Sequence, residues 1–97
     1  MSLTNKQNKY LRGLSHDLKP VVMVGNNGVT EGVLNELETC LAHHELIKVR
    51  ISGVDRDERQ KMAENLCKKS SSELVNTIGH IAVLYRRAKQ PVIKLPG

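Results

Sequence analysis

Residues 18–50 read LKPVVMVGNNGVTEGVLNELETCLAHHELIKVR, and the succession of patterns in them decides the fold. Val21-Val22-Met23-Val24 is a short apolar run rich in β-branched residues, expected as a strand buried on both faces. It stops at Gly25-Asn26-Asn27-Gly28, a turn of residues that tolerate positive φ. Thr30 then suits a helix N-cap, with Glu31 beside the positive helix end. Val33, Leu34, Leu37, Cys40 and Leu41 recur at helical spacing and form an inner stripe, while Glu31, Asn35 and Glu38 fall outside it. From Leu46 the period changes to two: Ile47, Val49 and Ile51 point one way, Lys48 and Arg50 the other. Strand, helix, strand is a unit whose helical crossover favours parallel neighbours.

Upstream, Thr4 and Gln7 have the spacing of a capping box, and Leu3 holds the staple position before it. Leu3, Tyr10, Leu11, Leu14 and Leu18 keep helical spacing, so a helix is expected over 5–16, with Asn5, Lys9, Arg12 and His16 on its other side. Downstream, Gly53 ends the second strand, and Asp55 or Asp57 can cap a helix over about 58–69. Met62, Ala63 and Leu66 give that helix a thin apolar stripe. Residues 74–78 and 81–85 flank Gly79-His80, a hairpin turn with glycine first, as type II′ prefers. The stretch from Arg86 holds Pro91 and Pro96, and residues 88–97 are expected as a loosely ordered tail. The order is α-β-α-β-α-β-β in one domain over 1–97. The fold class is α/β (an α+β sandwich), a four-stranded mixed sheet covered by helices.

Charge and composition bound the function. The net charge is +5 and the pI about 9.5, which points toward polyanions. The charges are segregated: residues 29–45 carry Glu31, Glu36, Glu38 and Glu45 without a Lys or Arg, whereas residues 74–97 carry Arg86, Arg87, Lys89 and Lys94. Tyr10 and Tyr85 are the sole aromatic residues, too few for a protein that reads single strands by stacking bases on rings. Contacts to phosphate, sugar and helical shape are the expected mode. Tyr85, at a strand end, suits either one stacked base or the core. Cys40 and Cys67 fit no metal or redox spacing and are expected as buried thiols. The polar N-terminus does not resemble a signal peptide and no apolar run approaches a membrane span, so a cytoplasmic protein is expected.

The turn at 25–28 carries the chemistry. Backbone N–H groups of a G-x-x-G turn can converge on an oxygen, and the following helix N-terminus adds free donors and partial positive charge. No Lys-Ser or Lys-Thr follows Gly28, so it is no nucleotide P-loop, and Gly25, Gly28 and Gly32 have the wrong spacing for a dinucleotide fingerprint. Lys9, Arg12, Lys19, Lys48, Arg50, Arg86 and Arg87 are the candidate cations around the loop residues Gly25, Asn26, Asn27 and Gly28. His43-His44 lacks a third ligand at metal spacing, and no nucleophile, base and orienting group occur together. Neither an enzyme, a cofactor nor a metal is expected.

Lys19-Pro20, Gly25-x-x-Gly28, Thr30-Glu31-Gly32, Leu46-Ile47-Lys48-Val49 and Leu84-Tyr85-Arg86 together resemble the CRM domain (chloroplast RNA splicing and ribosome maturation), in its stand-alone bacterial YhbY-type form. The resemblance covers nearly the whole chain. It implies a fold similar to the C-terminal domain of the third bacterial initiation factor and a G-x-x-G loop, compared with that of KH domains, in contact with RNA. It also implies ribosomal RNA of the large-subunit precursor (the pre-50S particle) as partner, with the chain acting as an assembly factor. Many relatives place a basic residue inside the loop. Here both central positions are Asn, which keeps the backbone donors and shifts affinity onto Lys and Arg elsewhere. A monomer with no small-molecule substrate is expected. The alternative from another class is a protein-interaction module docking on ribosomal proteins through the acidic second helix.

Overall fold

The computed structural model describes residues 3–97. Its elements run α1 (Asn5–Ser15), β1 (Pro20–Val24), α2 (Glu31–His44), β2 (Leu46–Ile51), α3 (Arg56–Ser70), β3 (Glu73–Ile78) and β4 (Ile81–Tyr85). Each helix starts where a side chain can take up an orphan amide. The Thr4 hydroxyl accepts from the Gln7 amide while the Gln7 side chain returns to Thr4, completing the capping box. Thr30 accepts from Val33 N–H and Asp55 from Glu58 N–H. Gly79 takes φ +57° and His80 does not have positive φ, as a type II′ turn requires.

The four strands form one mixed sheet in the order β1-β2-β4-β3. β1 and β2 are parallel, with Val22 beside Val49 and Val24 beside Ile51. β4 is antiparallel to both β2 and β3, and a register shift between Leu74 and Asn76 kinks β3. α2 and α3 cover one face: Leu37, Leu41, Ala63 and Leu66 pack on Val22, Val24, Ile47, Val49, Ile51, Ala82 and Leu84. Each large aliphatic side chain buried here contributes about 1.5–3 kcal/mol relative to exposure. The thin stripe of α3 suffices because it sits on this shared layer.

The other face carries a smaller core of Leu11 from α1 with Leu46, Val75, Val83 and Tyr85. Tyr85 is fully buried there, so its ring belongs to the core and stacks on no base. The helix reaches β2, β3 and β4 but not β1 in strength. The expectation of a first strand buried on both faces is therefore corrected: Val21 is 42% and Met23 59% exposed. β1 is an edge strand, and its apolar run reflects the α2 side alone.

Residues 86–97 form neither helix nor strand, yet they fold back onto the α1 side. Ile93 and Leu95 pack against the smaller core, and the Pro96 carbonyl accepts from the Gln7 side chain. Their main anchor is Glu45, a fully buried residue at the end of α2. Its carboxylate accepts the amides of Ala88, Val92 and Ile93 at 2.9, 2.8 and 2.9 Å, and its own carbonyl accepts Arg86 N–H. The residue pays for that position with φ +63° and ψ −48°, a conformation strained for any side chain bearing a Cβ.

Candidate nucleic-acid interface

Three connections meet along one edge of the sheet. The β1–α2 loop, the β2–α3 loop and the β3–β4 turn all leave the edge where Val24, Ile51 and Ile81 end or begin their strands. Backbone hydrogen bonds extend the ladders into them: Ser52 N–H donates to Val24 O at 2.9 Å, and Ile51 N–H to His80 O at 2.8 Å. The strand order therefore sets the three loops in a row.

Within the first loop, Gly28 N–H donates to Gly25 O at 3.0 Å, closing a β-turn with Asn26 and Asn27 at its centre. Gly28 has φ +71°, which a residue with a side chain adopts only under strain. Its amide is thus engaged inside the turn and is not part of a cradle. Asn26 and Asn27 are exposed, and among the described residues neither their amides nor their side chains have a hydrogen-bond partner. Asn26 leans over Gly53, where a Cβ would collide with its side-chain oxygen, and Gly53 itself has φ +82°. The G-x-x-G turn is seated on the next loop through the smallest residue available. The sequence marks Gly53 only as the end of a strand.

The candidate cations divide into groups. Lys48 and Arg50 lie on the sheet face away from α2 and α3, in register with Val83 and Ile81. Arg50 also pairs in register with Met23 and stands near the loop edge, whereas Lys48 is half-buried further in. Lys9 and Arg12 are exposed on α1, which packs on that same face, and Lys19 is exposed just before β1. Arg86 and Arg87 follow β4 at the opposite edge, beyond the pairing of Tyr85 with Leu46. Arg86 is half-buried and serves the fold: it pairs with the Glu38 carboxylate of α2 and donates to Ser70 O at the end of α3. Arg87 is exposed beside the Glu45 carboxylate.

Two further cations stand at the loop edge, Arg56 and Arg59 in the first turns of α3. Their spacing with Gln60 and Ala63 (i, i+3, i+4, i+7) is the signal that could have found them, since it makes a polar extension of the thin apolar stripe.

Groups capable of other chemistry are quiet. Cys67 is buried and its thiol is pushed up to about 11 by burial, although the Ser72 hydroxyl bond opposes this. Cys40 is only half-buried, a correction to the expected full burial, and its thiol is also raised, chiefly by burial and then by Glu36. His43 Nδ1 bonds Thr39 O at 2.8 Å. Among the described residues, no group of His, Cys, Asp or Glu is arranged to hold a metal, and no helix is long and apolar enough to cross a membrane.

A family model described as the CRS1/YhbY (CRM) domain matches residues 3–86. A Haemophilus influenzae protein named "RNA-binding protein" is 50% identical over 95 residues, covering 98% of this chain and 96% of that protein. The Bacillus subtilis "Probable RNA-binding protein YqeI" is 39% identical over 97% of this chain and 99% of its own length. The solution structure of the Staphylococcus aureus protein SAV1595 superposes with a TM-score of 0.87 at 38% identity, covering 98% of this chain and 100% of the other. Sequence motifs, sheet order and full-length similarity converge, and the chain belongs to the CRS1/YhbY (CRM) domain family.

Proposed function

We propose that this chain is a non-enzymatic RNA-binding protein that grips ribosomal RNA of the large-subunit precursor as an assembly factor, acting as a monomer in the cytoplasm. The observation that carries the reading is the exposed Asn26-Asn27 turn, closed by a left-handed glycine and seated on Gly53, in a chain of this family. The amides of Asn26 and Asn27, their side chains and the first turn of α2 supply the donors for phosphate oxygens. Arg50, Lys48, Lys9, Arg12 and Lys19 supply long-range attraction on the adjoining face. Membership of a family with relatives named for RNA binding supports the partner class.

With little aromatic surface, affinity comes from phosphate contacts and helical shape. If four to six phosphates are engaged, log K falls with log salt at a slope of about −3 to −5. The test is a salt titration of binding to a large-subunit ribosomal RNA fragment, with crosslinking in cells and RNA sequencing to identify the target. A slope near zero, or crosslinks unchanged by Asn26→Asp with Asn27→Asp, overturns the reading.

A further inference from the structure

A second concave site lies on the same loop edge, two to three inter-strand spacings from the G-x-x-G turn. It is a cleft of about 540 Å³ between the first turns of α3 and the β3–β4 hairpin. Its floor is made of the buried side chains of Ile51, Ala63 and Ala82. Small residues on a sheet surface leave a broad apolar platform, and the volume is in the range of small-ligand sites. The rim is polar: Arg56, Asp57, Arg59 and Gln60 from α3, Thr77 and His80 from the hairpin.

Three of the rim side chains are held in place with functional atoms to spare. Arg59 Nη1 donates to Val54 O at 2.9 Å, leaving the rest of the guanidinium. Gln60 Nε2 donates to Glu64 at 2.9 Å, so its Oε1 remains an acceptor. His80 Nδ1 lies 3.3 Å from Ile51 O, a pairing that requires the proton on Nδ1, so that in the neutral ring Nε2 is an acceptor. Two guanidiniums face one rim carboxylate, Asp57, giving the cleft a cationic balance. An anion with a planar apolar body and an edge rich in N–H donors matches all three features: cations for charge, platform for ring, acceptors for the edge.

We propose that this cleft is a nucleotide subsite, in which Arg56 and Arg59 take a phosphate while Gln60 and His80 accept hydrogen bonds from the exocyclic amine of an adenine, cytosine or guanine base. The inference rests on the RNA reading and deepens it. The turn at 25–28 follows β1 and the hairpin turn joins β3 and β4, two to three strands away, or roughly 10–14 Å at ~4.8 Å per strand. That distance is about three to four stacked nucleotides at ~3.4 Å each, so one RNA segment reaches both. The same chemistry is met by a free nucleoside monophosphate, and the experiment separates the two sources.

Amide and side-chain NMR spectra of the full chain are recorded while AMP, CMP, GMP, UMP or inorganic phosphate is added, and then a single-stranded RNA oligonucleotide. Saturable shifts at Thr77–Ile81 and Arg56–Gln60 are expected with the amino-bearing nucleotides, with UMP at least about fivefold weaker. Arg56→Ala with Gln60→Leu weakens them about tenfold, while Asn26→Asp with Asn27→Asp leaves them unchanged. Cleft shifts with RNA assign the source to the strand; cleft shifts with AMP but none with RNA assign it to a free nucleotide. Equal shifts with UMP or with inorganic phosphate overturn the subsite, as does a cleft silent to every nucleotide. If RNA moves the turn at 25–28 while the cleft is silent both to RNA and to every mononucleotide, the subsite falls and the proposed function stands. If RNA moves neither, that function falls, and the mononucleotide titration alone decides the cleft.

Discussion

Replacing Glu45 by Gln should undock the C-terminal segment and lower the stability of the whole chain. Glu45 is fully buried, and its two carboxylate oxygens accept three amides from residues 88–93. Gln keeps the volume but has one acceptor oxygen. Facing Val92 and Ile93, it preserves two bonds in neutral form and presents its NH2 group to Ala88 N–H. A hydrogen bond to a charged group contributes about 1.5–3 kcal/mol and a neutral one about 0.5–1.5. Losing one and weakening two removes roughly 3.5–6 kcal/mol if the segment stays in place. The segment escapes part of this by releasing to water, which surrenders only the docking of Ile93, Leu95 and the Gln7–Pro96 bond. The net expectation is a loss of about 2–4 kcal/mol, or ~10–20 °C in Tm for a domain of this size.

The pH dependence gives an independent reading of the same group. Burial pushes the Glu45 carboxyl up, but the amides of Ala88, Ile93 and Val92 and the Arg87 charge pull it down further, so it ends below the usual glutamate range. A group depressed on folding stabilises above its unfolded value, about 4.3, and that contribution is lost as the pH falls through the folded value. The stability gap between wild type and Glu45→Gln should therefore narrow in acid below about pH 4. Thermal melts from neutral to acid pH, with amide exchange at Ala88, Val92 and Ile93, measure both effects. A variant melting within about 2 °C of wild type at neutral pH, or a gap constant down to acid pH, would refute the role assigned to Glu45.

Gly53→Ala meets both a left-handed backbone and the Asn26 side chain, so it should cost about 1–3 kcal/mol and weaken RNA binding by displacing the turn; denaturant melts and RNA titrations with normal affinity would contradict this. Arg86→Met removes the link between Glu38 of α2 and Ser70 O of α3, and a loss of about 1–2 kcal/mol is expected. Because Arg86 is engaged by the fold, the salt slope for RNA should stay as in wild type; a slope lowered by about one unit would return it to the phosphate-contacting set. With its thiol at about 11, Cys67 should label with thiol reagents at mildly alkaline pH far more slowly than the half-buried Cys40, and equal rates in the native state would exclude the burial described.

Much of this protein is legible without coordinates because its signals are local. The Thr4–Gln7 capping box, Thr30, Asp55 and the Gly79-His80 turn each act over a few residues, and they start or join the same elements in the structure. The alternation of Ile47, Val49 and Ile51 with Lys48 and Arg50 likewise divides between the two faces of β2. The G-x-x-G turn was visible for the same reason, as a strand-to-helix joint made of residues that tolerate unusual φ.

What tertiary structure decided is everything set by contacts between distant residues. An apolar run such as Val21–Val24 does not say whether one neighbour or two will cover it, and the slight contact of α1 with β1 leaves Val21 and Met23 largely in the open. A glutamate following an acidic helix looks like surface, yet pairings with residues 43 to 48 positions away bury Glu45 and make it the anchor of the tail. Arg86 was one cation among many until Glu38 and Ser70, far apart in sequence, closed around it. The order β1-β2-β4-β3, which aligns the turn, Gly53 and the hairpin cleft on one edge, follows from strand pairing across the whole chain. Periodicity and capping are short-range and can be read along the chain; strand order and burial are collective and exist only once it has folded.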